Sequence, residues 1–508
     1  MNAIPDALPH DGAEHRLHPL SWLFVLIAQL KQFIFPLIAL LFFGGGDRNA
    51  LWPLFAVAGL VVTSLAEYLT YRYRLKDDGL IVRSGWLHRS VREIPFARIH
   101  NVSLHQSLLH RWVGVAEVRL EAAGGTKPEA QMRVLTMEQA LALEALVRRA
   151  GSAPDAGNTG NAGDAAQQRT AEAAPLLALS TGELIRLGLI SNRGLVLVAA
   201  ALGALAQMGD DLFDVLIDRW GKLAFGWVSD WVGHHVHDSM LVMSLAVLSI
   251  GVIALLLVRL LSVLLAIVQY HGFQLREDDD RIRVERGLLA RSRSSAKRRR
   301  IQAWSLREGV LHRWFQRRSL RVDIAVSQQG KQQHALKELA PIATPLRCEE
   351  LIRHFLPDAG WTELDWQPLH PRAWVRIALP SLVLLVIASG VLYWNVGSTG
   401  LLFLLTAPVL LWRARRMAAC GGLACNGRLV AWRRGWLDKR WNFAEISKLQ
   451  ALRLSQSPLD RRLGTANLLL DTAGASPLGP PLHLRYLPLA QARDLSARLA
   501  VQLARNRL

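Results

Sequence analysis

Apolar positions along this chain fall into two rhythms. The first is the unbroken run. Residues 240–258 contain nineteen apolar or small residues with no charge. At 1.5 Å of rise per residue, that length crosses the roughly 30 Å hydrocarbon layer of a bilayer. Similar runs occupy 51–66 (extending to Thr70), 194–208, 374–396 and 399–412. An early run, 21–43, carries Lys31 at its middle. The pattern predicts six transmembrane α-helices, grouped as three hairpins at about 30–70, 190–268 and 374–412.

The second rhythm is alternation. Residues 71–75 alternate, Asp77-Asp78-Gly79 reads as a hairpin turn, and 80–84 reads as the returning strand. Residues 115–121 alternate again before Gly124-Gly125. A helical spacing follows over 136–149, with Met137, Leu141, Leu143, Leu146 and Val147 on one side and Thr136 as N-cap. Helices at 344–355 and 489–503 close two further segments of the same kind. Short strands capped by one C-terminal helix predict a small β-barrel or sandwich.

Those segments are repeats. With Gly85, Gly287 and Gly435 superposed, about forty residues align without a gap. Leu104, Leu306 and Leu454 coincide, as do Arg111, Arg313 and Arg461. His110-Arg111-Trp112 returns as His312-Arg313-Trp314, and Gln106-Ser107 as Gln456-Ser457. Leu17-His18-Pro19 with Trp22 recurs as Leu369-His370-Pro371 with Trp374. The chain therefore divides into an N-terminal tail (1–16), a first pre-membrane segment and hairpin (17–70), a first barrel (71–150) and a linker rich in Gly, Ala, Asn, Asp and Gln (151–174). A second hairpin unit (175–269, with an external loop at 209–239), a second barrel (270–357), a third hairpin unit (358–412) and a third barrel (413–508) follow.

Charge orients these units. The chain has 508 residues, with 60 Lys+Arg against 41 Asp+Glu, a net charge of +19. Its mean hydropathy is nonetheless positive, +0.19. The hairpin turns are neutral or acidic, the 209–239 loop holding six Asp. Lys and Arg concentrate in the barrels. The positive-inside tendency therefore predicts a bacterial inner-membrane protein with both termini and all three barrels in the cytoplasm. Residues 1–19 contain Asp6, Asp11 and Glu14 without a basic start, so the first segment is expected to be retained. Lys31 and Arg259 are read as boundary residues whose charges reach the interface. Three cysteines, Cys348, Cys420 and Cys425, exclude a disulfide scaffold.

The first repeat carries Leu75, Asp77-Asp78-Gly79-Leu80, Gly85, Arg89, Ile94-Pro95-Phe96, Arg98-Ile99, Val102, Gln106-Ser107, Arg111 and Gly114. With a hairpin before each copy, this resembles the bacterial pleckstrin-homology-like domain of YdbS/YdbT-type membrane proteins. The second copy departs from it, with Ser295-Ala296-Lys297 in place of Ile-Pro-Phe and Glu308-Gly309 in place of Gln-Ser. The third keeps Gly464 but has Ala444-Glu445-Ile446 after Phe443. The resemblance implies PH-like barrels, a membrane location, no established enzymatic activity, and a smaller one-repeat relative as a partner.

Candidate chemistry is sparse. Residues 291–300 hold six basic side chains, Arg291, Arg293, Lys297, Arg298, Arg299 and Arg300. Beside a membrane each gains about 1 kcal/mol from anionic phospholipid. Trp220, Trp227 and Trp231 in the external loop suit an interfacial helix. Gly85, Gly287, Gly435, Arg111, Arg313 and Arg461 are expected to be structural, the arginines satisfying carbonyls or acids within each barrel. His234, His235 and His237 do not converge as metal ligands, and no metal, cofactor or nucleic-acid partner is expected. No G-x-S-x-G elbow, P-loop or dinucleotide fingerprint is present. The sequence thus points to a non-enzymatic scaffold or a module binding anionic lipid or a partner, with envelope stress or resistance to membrane-active peptides as the expected setting. The alternative is a transporter or lipid-handling protein built on the six helices.

Overall fold

A computed structural model describes residues 14–30, 52–76, 79–85, 89–96, 99–122, 130–151, 174–207, 240–278, 280–324, 336–472 and 482–505. Each repeat is built the same way. A two-residue strand from the pre-membrane segment joins three strands after the hairpin, forming a four-stranded antiparallel sheet. Three more strands and a C-terminal helix close the barrel.

In the first repeat the sheet is β1 (His15–Arg16), β2 (Arg72–Leu75), β3 (Gly79–Ser84) and β4 (Ser90–Pro95). Residues 15–16 therefore belong to the barrel rather than to a tail. Helices α1 (Ser21–Leu30) and α2 (Trp52–Thr70) come between β1 and β2. The second half is β5 (Ile99–Gln106), the short helix α3 (Leu108–Val113), β6 (Val115–Ala122), β7 (Ala130–Thr136) and α4 (Met137–Gly151). Thr136 caps α4 as its position predicts. Its hydroxyl accepts from the Gln139 amide and the Gln139 side chain accepts from the Thr136 amide, both at 3.3 Å.

The second repeat runs β8 (Leu177–Ala178), α5 (Thr181–Ile190), α6 (Arg193–Gln207), α7 (Met240–Tyr270), β9 (Gln274–Asp278), β10 (Arg281–Arg286) and β11 (Arg291–Lys297). It continues with β12 (Ile301–Glu308), α8 (Val310–Trp314), β13 (Arg318–Ile324), β14 (Glu338–Ala343) and α9 (Pro345–Phe355). The third has β15 (Gln367–Pro368), α10 (Ala373–Val396), α11 (Ala407–Cys420), β16 (Gly422–Cys425), β17 (Leu429–Arg434) and β18 (Lys439–Glu445). Its second half is β19 (Leu449–Ser455), α12 (Pro458–Leu463), β20 (Thr465–Thr472), β21 (His483–Pro488) and α13 (Leu489–Arg505).

The barrels are not separate beads. The second sheet of each repeat pairs edge to edge with the first sheet of the next. This gives two seven-stranded sheets, β7-β6-β5-β11-β10-β9-β8 and β14-β13-β12-β18-β17-β16-β15. A four-stranded and a three-stranded sheet remain at the ends.

The expectation of six transmembrane helices is met only in part. Among the described residues, 248–270 and 373–420 are long and apolar enough to cross a membrane. The second of these folds back at Gly397–Thr406, where the Ser389 hydroxyl donates to the Gly400 carbonyl at 2.9 Å. Helices α5 and α6 form a third candidate, bent by 52°. Arg259 satisfies the bend. Its guanidinium donates to the carbonyls of Leu189 and Ser191 and to the Asn192 side chain, supplying donors for carbonyls that the break leaves without helical partners. Close packing holds α5 and α6 on α7. A Cβ at Gly188 would lie 2.4 Å from the Val263 Cα, and one at Gly194 would lie 2.4 Å from the Val258 carbonyl. Lys31, part of the first hairpin and the 209–239 loop lie outside the described residues, as does nearly all of the 151–174 linker.

Candidate functional site

Each barrel has one end entered by the apolar helices that precede it, and strand order fixes what lies there. In the second repeat α7 leads into β9, and the β10–β11 turn returns to the same place. The Gly287 amide donates to the His271 carbonyl and the Leu288 amide to the Val268 carbonyl, both at 2.9 Å. The turn needs glycine on two grounds. Gly287 has φ +114°, and a Cβ there would sit 2.0 Å from the Ala290 carbonyl oxygen. Gly435 has φ +88° and the same 2.0 Å clash, with Asp438; Gly85 has φ +108°. The structural role expected for these three glycines is thus a hairpin turn at the helix-entered end.

The shared arginine acts at this end too, and its carbonyl acceptors lie in the next barrel. Arg111 donates to the Leu288 carbonyl of the second barrel at 2.8 Å. Arg313 donates to the Trp436 and Leu437 carbonyls of the third at 2.9 and 2.6 Å. Each reaches into the glycine turn of the next repeat and latches neighbouring barrels. Arg313 also meets Glu308 of its own barrel at 3.9 Å, so an acid within the barrel and carbonyls of the next barrel share one guanidinium. Arg461, in the last repeat, is exposed.

Beside these latches, α3 and α8 expose large apolar side chains. Trp112 is 89% exposed and Trp314 is 80% exposed. Leu108, Leu109, Val310, Leu288, Leu289 and Leu437 are exposed around them. Both short helices abut the hairpins: the Phe24 ring of α1 packs 4.1 Å from His110, and Arg317, just after α8, pairs with Glu183 of α5 at 2.7 Å. The exposed basic residues Arg111, Arg291, Arg461 and Arg462 belong to the same end. Exposed tryptophan and leucine rimmed by arginine suits the headgroup layer of a membrane. Sequence reasoning read Trp112 and Trp314 only as repeat markers. The available signal was a tryptophan kept inside a charged His-Arg-Trp motif rather than in an apolar alternation. Trp220, Trp227 and Trp231 lie outside the described residues.

The basic run is divided between the two ends. Arg291 opens β11 at the helix-entered end and pairs with Glu285 at 3.5 Å. Arg293 meets Glu285 at 3.1 Å and Glu144 of the first barrel at 3.7 Å. Lys297 and Arg298–Arg300 lie at the opposite end of β11, since the Arg298 amide donates to the Asp280 carbonyl in the β9–β10 turn. There Arg298 donates to the His354 and Phe355 carbonyls at 3.1 and 2.6 Å, capping α9. Lys448 of the third barrel donates to the Arg299 carbonyl at 2.8 Å. These residues border a cavity of about 360 Å³ between the second and third barrels, lined also by Arg428, Asp280, Asp358 and Glu445. Burial, then Arg299 and Arg281, pushes the Lys297 ammonium below its ordinary value. At this end, away from the hairpin, the Arg299 carbonyl joins the second barrel to the third, while Arg298 bonds within its own barrel.

A second cavity of about 330 Å³ lies at the helix-entered end, between α5, α7, α8 and the β17–β18 turn. Its charged wall centres on Glu338, which accepts from Tyr270, from Arg286 at 2.9 Å and from Arg321 at 3.1 Å. Burial works to raise the Glu338 carboxyl, but Arg286 and its neighbours outweigh it and hold the group below the ordinary carboxylate range. His312, on the same cavity, is pushed down by burial and by Arg307. Each charge here has an opposite partner, which marks a structural joint at the base of the second hairpin. Among the described residues no group of three or more His, Cys, Asp or Glu converges as a metal site. Burial pushes the Cys348 thiol up to about 12, leaving it inert at neutral pH.

Apolar helices recurring before barrels of seven strands, each closed by a C-terminal helix, fit a membrane protein of tandem PH-like domains. The family model described as Bacterial PH domain matches residues 24–151, 232–355 and 374–502, and the chain belongs to that family. The matches take in membrane helices together with barrels, so the repeating unit is the pair. The chain is also similar to the UPF0699 transmembrane protein YdbT of Bacillus subtilis (strain 168), with 20% identity over 356 residues, covering 68% of this chain and 69% of that protein. No solved structure matches.

Proposed function

We propose that the protein is a non-enzymatic scaffold of the bacterial cytoplasmic membrane. Its three barrels form one rigid array in the cytoplasm, with their helix-entered ends against the anionic headgroups. The observation that carries this reading is the pair of exposed tryptophans, Trp112 and Trp314, on equivalent short helices beside the hairpin bases. Edge-to-edge strand pairing keeps these ends level, so the surfaces of successive barrels act together. Arg291, Arg461 and Arg462 add attraction of about 1 kcal/mol each where they approach anionic lipid. A setting in envelope stress or resistance to membrane-active peptides is compatible with such a surface-sensing array.

The test places a nitroxide label at Trp112→Cys or Trp314→Cys in the full chain, with Cys420 and Cys425 replaced by Ser, reconstituted in phosphatidylglycerol-containing vesicles. Labels at the membrane surface gain oxygen relaxation relative to an aqueous nickel chelate, compared with a label on the barrel end away from the hairpins. The same ratio at both positions as at that distal label would remove the membrane-facing role.

A further inference from the structure

The two joins between barrels obey one rule. In the first, β5 pairs antiparallel with β11: His105 faces Ser292, Leu104 faces Arg293 and Ser103 faces Ser294. In the second, β12 pairs with β18: Arg307 faces Arg440, Leu306 faces Trp441 and Ser305 faces Asn442. In the repeat alignment these are the same positions, so the register is identical. An arginine latch accompanies each join.

The rule leaves two ends. The third barrel presents β19, the equivalent of β5 and β12, which ends its sheet among the described residues. The first barrel presents β4, the equivalent of β11 and β18, which also ends its sheet. The repeated leucine records the difference. Leu104 is 3% exposed and Leu306 is 1% exposed, each facing a residue of the next barrel's strand and packed in a core cluster, whereas Leu454 is 38% exposed and faces no such strand among the described residues. At the other end Val91 of β4 is 63% exposed.

We propose that β19 of one molecule pairs with β4 of a second copy of this chain, repeating the internal join between molecules. The shared register sets Ser455 opposite Ser90, Leu454 opposite Val91, Arg453 opposite Arg92 and Leu452 opposite Glu93. The two exposed apolar side chains thereby cover each other, and exposed strand edges gain main-chain hydrogen bonds. Arg461 takes the latch position held by Arg111 and Arg313. Both internal joins put the helix-entered ends on one side, so this join lets both copies share one bilayer. It is head-to-tail, closing into a ring or extending within the membrane plane. Arg453 opposite Arg92 is the adverse term, where the inner joins have Ser103–Ser294 and a Ser305–Asn442 hydrogen bond of 2.8 Å. It makes the outer join weaker and reversible.

The test uses the full chain in native membranes, with Cys420 and Cys425 replaced by Ser. Two differently tagged copies, one Ser90→Cys and one Ser455→Cys, are co-expressed and oxidised with copper phenanthroline. The mixed disulfide dimer is expected, and Glu93→Cys in place of Ser90→Cys gives none. Arg453→Glu raises the yield roughly tenfold by turning repulsion into attraction, and Leu454→Lys lowers it by about as much. Leu454 is already exposed in the single chain, and an unchanged melting temperature confirms that Leu454→Lys still folds. Equal yields in the two registers, no link between Ser90→Cys and Ser455→Cys copies, or a different protein linked to Ser455→Cys would overturn the proposal.

Discussion

The first and third repeats make the same joint with opposite chemistry. In both, the pre-membrane segment docks on the last strand of its barrel: His18 donates its amide to the Val134 carbonyl at 3.3 Å, and His370 to the Tyr486 carbonyl at 3.2 Å. Six residues on, the base of the membrane helix meets the short barrel helix. In the first repeat this is Phe24 against His110, rings 4.1 Å apart, with Val115 and Val134 buried alongside. In the third it is Arg376 against the fully buried Asp460, 2.9 Å apart. Asp460 also accepts from Ser457, Thr465 and Asn467, so every lone pair of the buried charge is used. The repeat requires a link at this position but not a particular interaction. An apolar link tolerates partial loss, whereas a buried charge fails sharply when one partner goes.

That difference sets the order of effects. Asp460→Ala strands Arg376 and three polar neighbours, and is expected to cost about 3–5 kcal/mol. Amide hydrogen exchange in β20 and α12 measures it, and unchanged protection there would contradict the account. The same carboxylate gives a pH dependence. Burial works to raise it, but the Ser457, Thr465 and Arg376 hydrogen bonds outweigh burial and hold it below its ordinary value. Its contribution is therefore fully present above the ordinary Asp value, about 4, and is lost as pH falls through the lower folded-state value. The melting temperature of the detergent-solubilised protein should fall below about pH 4, and Asp460→Asn should reduce that acid-dependent loss. Phe24→Ala removes an aromatic ring from a small cluster, and about 3 kcal/mol is expected, at the low end for such deletions. Its footprint in hydrogen exchange should be confined to α3 and β7.

The repeats, the strands, the C-terminal helices and the glycine turns are legible in the sequence because each depends on local pattern. Thr136 as a cap is of the same kind. The fusion of barrels is not legible, since an edge strand and a central strand share one alternation and only the neighbour differs. Arg111 and Arg313 illustrate this: recurrence marks them, but their acceptors lie 177 and 123 residues further along the chain. The basic run is divided for a related reason. Adjacent in sequence, Arg291 and Arg300 occupy opposite ends of a barrel because β11 lies between them. Trp112 and Trp314 are exposed by the direction of a single-turn helix, which no periodicity reports.

The latches come next in size. Arg313 donates two charged hydrogen bonds to backbone carbonyls and is only partly buried, so Arg313→Ala is expected to cost about 1–2 kcal/mol. The loss should appear as faster exchange in β12 and β18 together, because both strands lie on the seam. Exchange quickened in β12 alone would mean that Arg313 stabilises its own barrel rather than the join.

The smallest effect compares all three repeats at one backbone position. The short helices of the first and third end in left-handed glycines, Gly114 at φ +75° and Gly464 at φ +71°. The second has Gln316 there, at φ +52°. For a residue with a Cβ this conformation costs roughly 1–2 kcal/mol. Glycine relieves it but loses more chain entropy on folding, so Gln316→Gly should gain only about 0.5–1 kcal/mol. The reverse change is as clean. A Cβ at Gly114 meets nothing within 4 Å, so Gly114→Gln tests backbone strain without a steric clash. It should lose about what Gln316→Gly gains, and melting temperatures that move in opposite directions would show that the helix end, rather than packing, sets the difference.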